Sequence, residues 1–202
     1  MDTRELDVPG CFEFTPAQHH DDRGVFLEWF RAEVVAAVVG HPLVVAQANH
    51  SVSRRGTLRG VHYALVPPGQ GKYVYCPRGA VLDVVVDLRV GSPTFGISDS
   101  TQLDEDSRRS VYIPEGVGHA LLSLADDSAL TYLCSTSYDP QREKAVNALD
   151  PELGLPWPVD VEPVLSARDR AAPGLEQARA VGDLPSYDDC LARYEVLRTS
   201  GQ

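Results

Sequence analysis

Cysteine is scarce and scattered in this chain of 202 residues: Cys11, Cys76, Cys134 and Cys190 form no C-x-x-C pair and no closely spaced framework. That excludes a small disulfide-stapled scaffold, and the four read as reduced structural thiols. Long apolar runs are missing too. None approaches the ~20 residues needed to cross a bilayer, and Met1-Asp-Thr-Arg-Glu offers no apolar signal core, so the expectation is a cytoplasmic protein without membrane association. Basic residues are outnumbered, 18 Lys+Arg against 29 Asp+Glu, and a net charge of -11 argues against a nucleic-acid partner, whose phosphates need a basic face. Internal repeats and low-complexity segments are absent. With 43% hydrophobic and 23% charged residues, the chain can build its own core, and a single domain over residues 1–202 is expected.

A local absence matters more. Between Glu33 and Asp83 no acidic residue occurs, whereas Arg54, Arg55, Arg59, Lys72 and Arg78 do. Either a buried sheet region excludes carboxylates there, or an acidic protein is keeping a site for an anion. From Val45 to Ser137 short segments rich in Val, Leu and Tyr are bounded by turn signals such as Pro67-Pro68-Gly69, Pro77-Arg78-Gly79 and Pro114-Glu115-Gly116, the pattern of a β-sandwich or barrel. In Val81 to Leu88 the even positions are apolar and the odd ones carry Asp83 and Asp87, which predicts a half-buried strand. Leu130, Tyr132 and Cys134 share one face of another strand, so Tyr132 points into whatever the sheet encloses. Helices are expected at the periphery only: Arg31 to Val39, ended by Gly40 and Pro42, and a second after Pro185. In that second helix Ser186 and Asp189 suggest a capping box, and Tyr187, Cys190, Leu191, Tyr194 and Leu197 form a packing stripe. His19, His20 and His41 read as surface residues in turns.

Pro114-Glu115-Gly116-Val117-Gly118-His119 has the P-x-G-x-x-H form of the second cupin motif, in which a Gly turn sends a His into a barrel. Metal-binding cupins add an H-x-H and a Glu, because a divalent cation needs three or four convergent ligands. Here Arg59-Gly60-Val61-His62-Tyr63-Ala64 has one His and no nearby Glu, so neither a metal nor another cofactor is expected. Lys72, in a strand-like run, offers a fixed ammonium instead, which stabilises an enolate oxygen much as a metal would.

In combination the motifs are specific. They run Asp22-Arg23-Gly24-Val25-Phe26-Leu27-Glu28, Gln47-Ala48-Asn49-His50-Ser51-Val52-Ser53, Leu58-Arg59-Gly60-Val61-His62, Gln70-Gly71-Lys72, Gly91-Ser92-Pro93-Thr94-Phe95-Gly96, and Asp150-Pro151 with Trp157-Pro158. With them the chain resembles the dTDP-4-dehydrorhamnose 3,5-epimerases and the related cupin epimerases of antibiotic deoxysugar pathways, over nearly its whole length. The resemblance implies a mainly β fold, a cupin-type double-stranded β-helix or jelly-roll barrel with a few peripheral helices. It implies metal-independent epimerisation of a dTDP-linked 4-keto-6-deoxy sugar, and a homodimer that exchanges an N-terminal strand.

By the same resemblance His62 is the base that removes a proton beside the C4 ketone, Asp169 its orienting partner, Lys72 the group facing the C4 oxygen, and Tyr132 the acid on the opposite face. These residue types suit the chemistry: His titrates near neutral pH, a carboxylate fixes its tautomer, and inversion needs a second proton source across the ring. Arg23, Glu28, Gln47, Asn49, Arg59, His119, Glu143 and Arg168 are implied to surround the nucleotide sugar, with arginines suited to pyrophosphate. Tyr138 either contacts the base or sugar or packs at a strand end, and the role of His50 is open. After the barrel histidine, Ala120-Leu121 stands where the 3,5-epimerases usually have Gly-Phe, and Gly118 replaces a common Ala. Those departures favour inversion of C3 of dTDP-4-keto-6-deoxy-D-glucose, with inversion of both C3 and C5 as the alternative.

Overall fold

A computed structural model describes residues 1–200. Two antiparallel sheets face each other. One has six strands in the order β1 (Asp2–Glu5), β2 (Phe12–Thr15), β10 (Ser110–Ile113), β7 (Lys72–Arg78), β12 (Ser128–Cys134) and β5 (Gln47–Ser53). The other has five, β13 (Glu143–Ala145), β6 (Leu58–Ala64), β11 (Gly118–Ser123), β8 (Ala80–Val86) and β9 (Ser98–Asp104). A separate hairpin, β3 (Gln18–Asp21) with β4 (Gly24–Leu27), pairs only with itself. The short strands and Gly/Pro turns predict a β-sandwich or barrel, and the architecture is the mainly β, cupin-type jelly roll that the resemblance implies.

Alternation along the strands divides the apolar residues into three layers. Between the sheets, Val74, Val81, Val85, Val111, Leu121 and Leu130 close the lower part of the barrel. Outside the five-stranded sheet, Val84, Val86, Leu58 and Leu122 pack under Leu153, Leu175, Ala178 and Leu184 of the C-terminal segment. Outside the six-stranded sheet, Phe14, Tyr73 and Tyr112 meet Val35 and Leu43. Val35 is the buried residue of α1 (Ala32–Val39), which ends as predicted where Gly40 adopts a left-handed conformation and donates its N–H to Ala36 O at 2.9 Å.

Two expectations need correction. The Val81 to Leu88 strand is not half-buried: the C-terminal segment covers its even face and the barrel interior its odd face, so Asp83 and Asp87 are 1% and 0% exposed. An aspartate in such a strand has to find partners inside the protein. His41 is buried rather than superficial, with its ring edge-on to Tyr112, while His19 and His20 are exposed. The final helix, α4 (Tyr187–Ser200), starts where expected and the Asp189 N–H donates to Ser186 Oγ at 3.4 Å, but its packing stripe is incomplete, since Leu191 stays 45% exposed. No helix among the described residues is long and apolar enough to cross a membrane.

Candidate active site

A cavity of about 490 Å³ opens between the sheets above the apolar floor. Strand alternation supplies most of its wall. On β5, Gln47, Asn49 and Ser51 face inward, whereas His50 faces out and meets Thr131 Oγ1 at 3.1 Å. On β12, Leu130 and Tyr132 face inward; Lys72, 6% exposed, enters from the start of β7. Arg59 and His62 both reach the cavity from β6, although three residues apart. They do so because the β6–β11 pairing slips between His119 and Leu121, a bulge centred on Gly60. Gly60 has φ +110°, and a Cβ there would stand 2.5 Å from His119 O, so the bulge needs glycine.

His62 Nε2 lies 2.6 Å from Asp169 Oδ1. Asp169 belongs to α2 (Ala167–Arg170), whose N-terminal cap Ser166 accepts the Asp169 N–H. Burial would raise the Asp169 carboxyl, but the hydrogen bond and charge of His62, together with Ser166 and Arg168, outweigh burial and hold it below the usual carboxylate range. The ring is thereby oriented with Nε2–H donating and Nδ1 carrying the lone pair. A second pair stands beside it: His119 Nε2 is 2.6 Å from Asp83 Oδ2, and Asp83 Oδ1 is buried without a partner among the described residues. Burial pushes the Tyr132 phenol above its ordinary value, Cys134 and Glu143 add to the rise, and Arg59 opposes it.

The rim carries Tyr138, 52% exposed, whose N–H donates to Gln47 Oε1 at 2.9 Å, and Glu143, whose carbonyl accepts from Arg168 at 3.1 Å. Arg59, Lys72 and Arg168 thus face one cavity, while Arg54, Arg55 and Arg78 from the same acid-free stretch stay on the surface. Of the residues expected around a ligand, Arg23 and Glu28 lie elsewhere. Arg23 sits at the tip of the β3–β4 hairpin, paired with Asp21, and Glu28 follows the hairpin near Arg31. Sequence reasoning missed Asp83, Gln70 and Ser51. The available signal for Asp83 was a carboxylate inside an apolar strand that must run beside the strand carrying His119. Among the described residues no three His, Cys, Asp or Glu side chains are grouped to hold a metal ion.

Comparison with known proteins gives a consistent picture. The family model described as dTDP-4-dehydrorhamnose 3,5-epimerase matches residues 5–177. A dTDP-4-dehydrorhamnose 3,5-epimerase of Mycolicibacterium smegmatis is 54% identical over 198 residues, covering 98% of each chain. A dTDP-4-dehydrorhamnose 3-epimerase of Streptomyces niveus is 53% identical, covering 95% of this chain and 92% of its own. Among solved structures, ChmJ, a 3'-monoepimerase from Streptomyces bikiniensis in complex with dTDP-quinovose, superposes with a TM-score of 0.94 at 49% identity, covering 96% of this chain and 98% of its own.

Proposed function

The chain belongs to the dTDP-4-dehydrorhamnose 3,5-epimerase family, and on that premise we propose that it is a metal-independent isomerase that inverts C3 of dTDP-4-keto-6-deoxy-D-glucose. One observation carries the proposal: His62 projects from the five-stranded sheet, and Lys72 and Tyr132 from the six-stranded sheet, into the same cavity. A sugar held between the sheets meets a base on one face and a phenol on the other, which is what inversion requires.

His62 Nδ1 takes the C3 proton, and Asp169 favours the imidazolium that forms. The electron pair moves into the C3–C4 bond and the C4 oxygen becomes an enolate beside the Lys72 ammonium. Tyr132 delivers a proton to the opposite face of C3. The enzyme is left with an imidazolium and a phenolate, which exchange with water to reset the site. Tyr132 has to be protonated at rest, and its raised pKa provides that. Arg59 and Arg168, at the wall and rim, suit the pyrophosphate, with Gln47, Asn49, His119, Tyr138 and Glu143 around the remainder of the nucleotide sugar. Leu121, on the wall beside His119, leaves out the ring that the 3,5-epimerases usually carry there, and this favours C3 alone over C3 with C5. The second reading keeps support from the M. smegmatis relative, which is named for both positions.

We place the enzyme in the cytoplasm, where its four unpaired thiols stay reduced, and assign it a homodimeric state. Support for the dimer is the unsupported β3–β4 hairpin with Phe26 69% exposed, together with the edge strand β5, where Val52 is 56% exposed and Val44 just before it 71%. In that arrangement the hairpin carries Arg23 and Glu28 to the cavity of a second copy.

The test is to incubate the enzyme with dTDP-4-keto-6-deoxy-D-glucose in D2O and locate deuterium by NMR, beside a His62→Ala control. Label at C3 alone is expected. Label at both carbons selects the 3,5-epimerase, and the absence of His62-dependent exchange refutes epimerisation.

A further inference from the structure

Glu115, in the turn between β10 and β11, is 1% exposed and forms no salt bridge among the described residues. Its Oε1 accepts from the Ser135 hydroxyl at 3.0 Å, while Oε2 is buried without a partner. A buried carboxyl with one of its two oxygens unpartnered is an expensive way to fill a turn.

Its surroundings point to a use. The carboxylate lies against Gly71, where an added Cβ would meet both oxygens at 3.2 Å. Ser135, while donating to Glu115, accepts the Gly71 N–H at 2.8 Å, and its own N–H donates to Gly71 O at 2.9 Å. Thr136 continues the clamp, donating its hydroxyl to Gly69 O at 2.9 Å and accepting the Gln70 side-chain amide at 3.0 Å. Gly71 is flanked by Gln70 and Lys72, both of which face the cavity. A hydroxyl both donates and accepts, so by itself Ser135 has no fixed polarity. With Glu115 Oε1 as acceptor, the Ser135 proton points toward Glu115 and the oxygen lone pairs are left for the Gly71 N–H.

We infer that Glu115 is a positioning residue for Lys72: through Ser135 it fixes the backbone of Gly71 and hence the point at which the ammonium meets the C4 oxygen. The inference rests on the reading of Lys72 as the group that faces this oxygen. Displacing a charge-stabilising group by about an ångström costs on the order of a hundredfold in rate, and such a loss falls on kcat with KM little changed.

The experiment is a double-mutant cycle on Ser135→Ala and Lys72→Met, read as the rate of deuterium entry at C3 per folded enzyme, with folding followed by circular dichroism. Lys72→Met is expected to lower kcat, Ser135→Ala to lower it by roughly 10- to 100-fold, and the double variant to be no slower than Lys72→Met alone. Multiplicative losses in the double variant, or an unchanged kcat in Ser135→Ala, overturn the positioning role while leaving the Lys72 reading intact. An unchanged kcat in Lys72→Met overturns both. If Ser135→Ala does not fold, Glu115→Met and Glu115→Gln replace it. The amide oxygen of Gln still accepts from Ser135, so Glu115→Gln is expected to exceed Glu115→Met in kcat by about tenfold, and equal rates overturn the relay.

Discussion

Arg59 and His62 lie three positions apart on β6 and yet open into the same cavity. Simple alternation would send them to opposite faces of the sheet. The bulge at Gly60 absorbs the odd residue and lets one strand present both an arginine and a histidine to the cavity.

Gly60→Ala tests that device. The new methyl group would have to occupy φ +110° and stand 2.8 Å from Ala120 Cα and 2.5 Å from His119 O. Both neighbours are backbone atoms, so relief requires the β6–β11 pairing to shift. A loss of about 2 kcal/mol or more is expected in urea unfolding. The folded remainder should turn over slowly, because His62 and Arg59 no longer share a wall. Wild-type stability in Gly60→Ala would mean that the bulge tolerates a side chain and that its glycine is not required.

Tyr132 and His62 project from opposite sheets, so removing one should uncouple exchange from inversion. In Tyr132→Phe the base still removes and returns the C3 proton on its own side, while inversion falls by about 10²- to 10⁴-fold. NMR in D2O separates the two, as label retained in the starting sugar without product. The pH dependence has a definite sign. The acid must be protonated, its pKa is raised above 10.0 by burial first and by Cys134 and Glu143 next, and activity assigned to it disappears only as pH rises beyond that value.

What the sequence disclosed followed from local rules. Leu130, Tyr132 and Cys134 alternate cleanly, and the turn before His119 marks a strand start, so the inward aspect of both sites was legible. Asp83 was not, because an aspartate between apolar residues such as Leu82 and Val84 normally faces water, and only the C-terminal segment, distant in sequence, turns that strand into an inner one. The pairing of His62 with Asp169 spans 107 residues and has no local signature beyond family likeness. His41 was misread for a similar reason: its turn-like neighbours do not reveal that Tyr112, 71 residues away, covers it.

Asp87, just past the end of the strand that holds Asp83, serves stability. Arg89 donates from Nε and Nη2 to its two oxygens at 2.8 Å each, and Ser92 and Thr94 donate at 2.6 and 2.7 Å. Burial alone would raise the Asp87 carboxyl, yet these hydrogen bonds and the Arg89 charge hold it below the ordinary range. Since the folded-state pKa is depressed, the network stabilises the fold above the unfolded value of about 3.9 and loses that contribution as pH falls through the lower, folded one. Asp87→Asn leaves Arg89 buried and unpaired and should cost about 3–5 kcal/mol at neutral pH. The gap between variant and wild type in denaturant unfolding should narrow only below pH ~4. A gap that is constant through the acid range would assign the loss to packing.

Arg23 and Glu28 provide the test of assembly, because neither lines the cavity of its own chain. If the hairpin crosses to a second copy, Phe26→Asp, which charges its most exposed apolar residue, should shift the enzyme from dimer to monomer in sedimentation and remove activity with it. Complementation is sharper. Arg23→Ala and His62→Ala homodimers should each be inactive, the first for want of a phosphate contact and the second for want of a base. When the two are mixed and reassociated, half of the dimers are heterodimers, and each of these has one site with His62 from one chain and Arg23 from the other. About a quarter of native activity should return. Were Arg23 to serve its own chain's cavity, every heterodimer would hold one site lacking His62 and one lacking Arg23, and mixing would restore nothing.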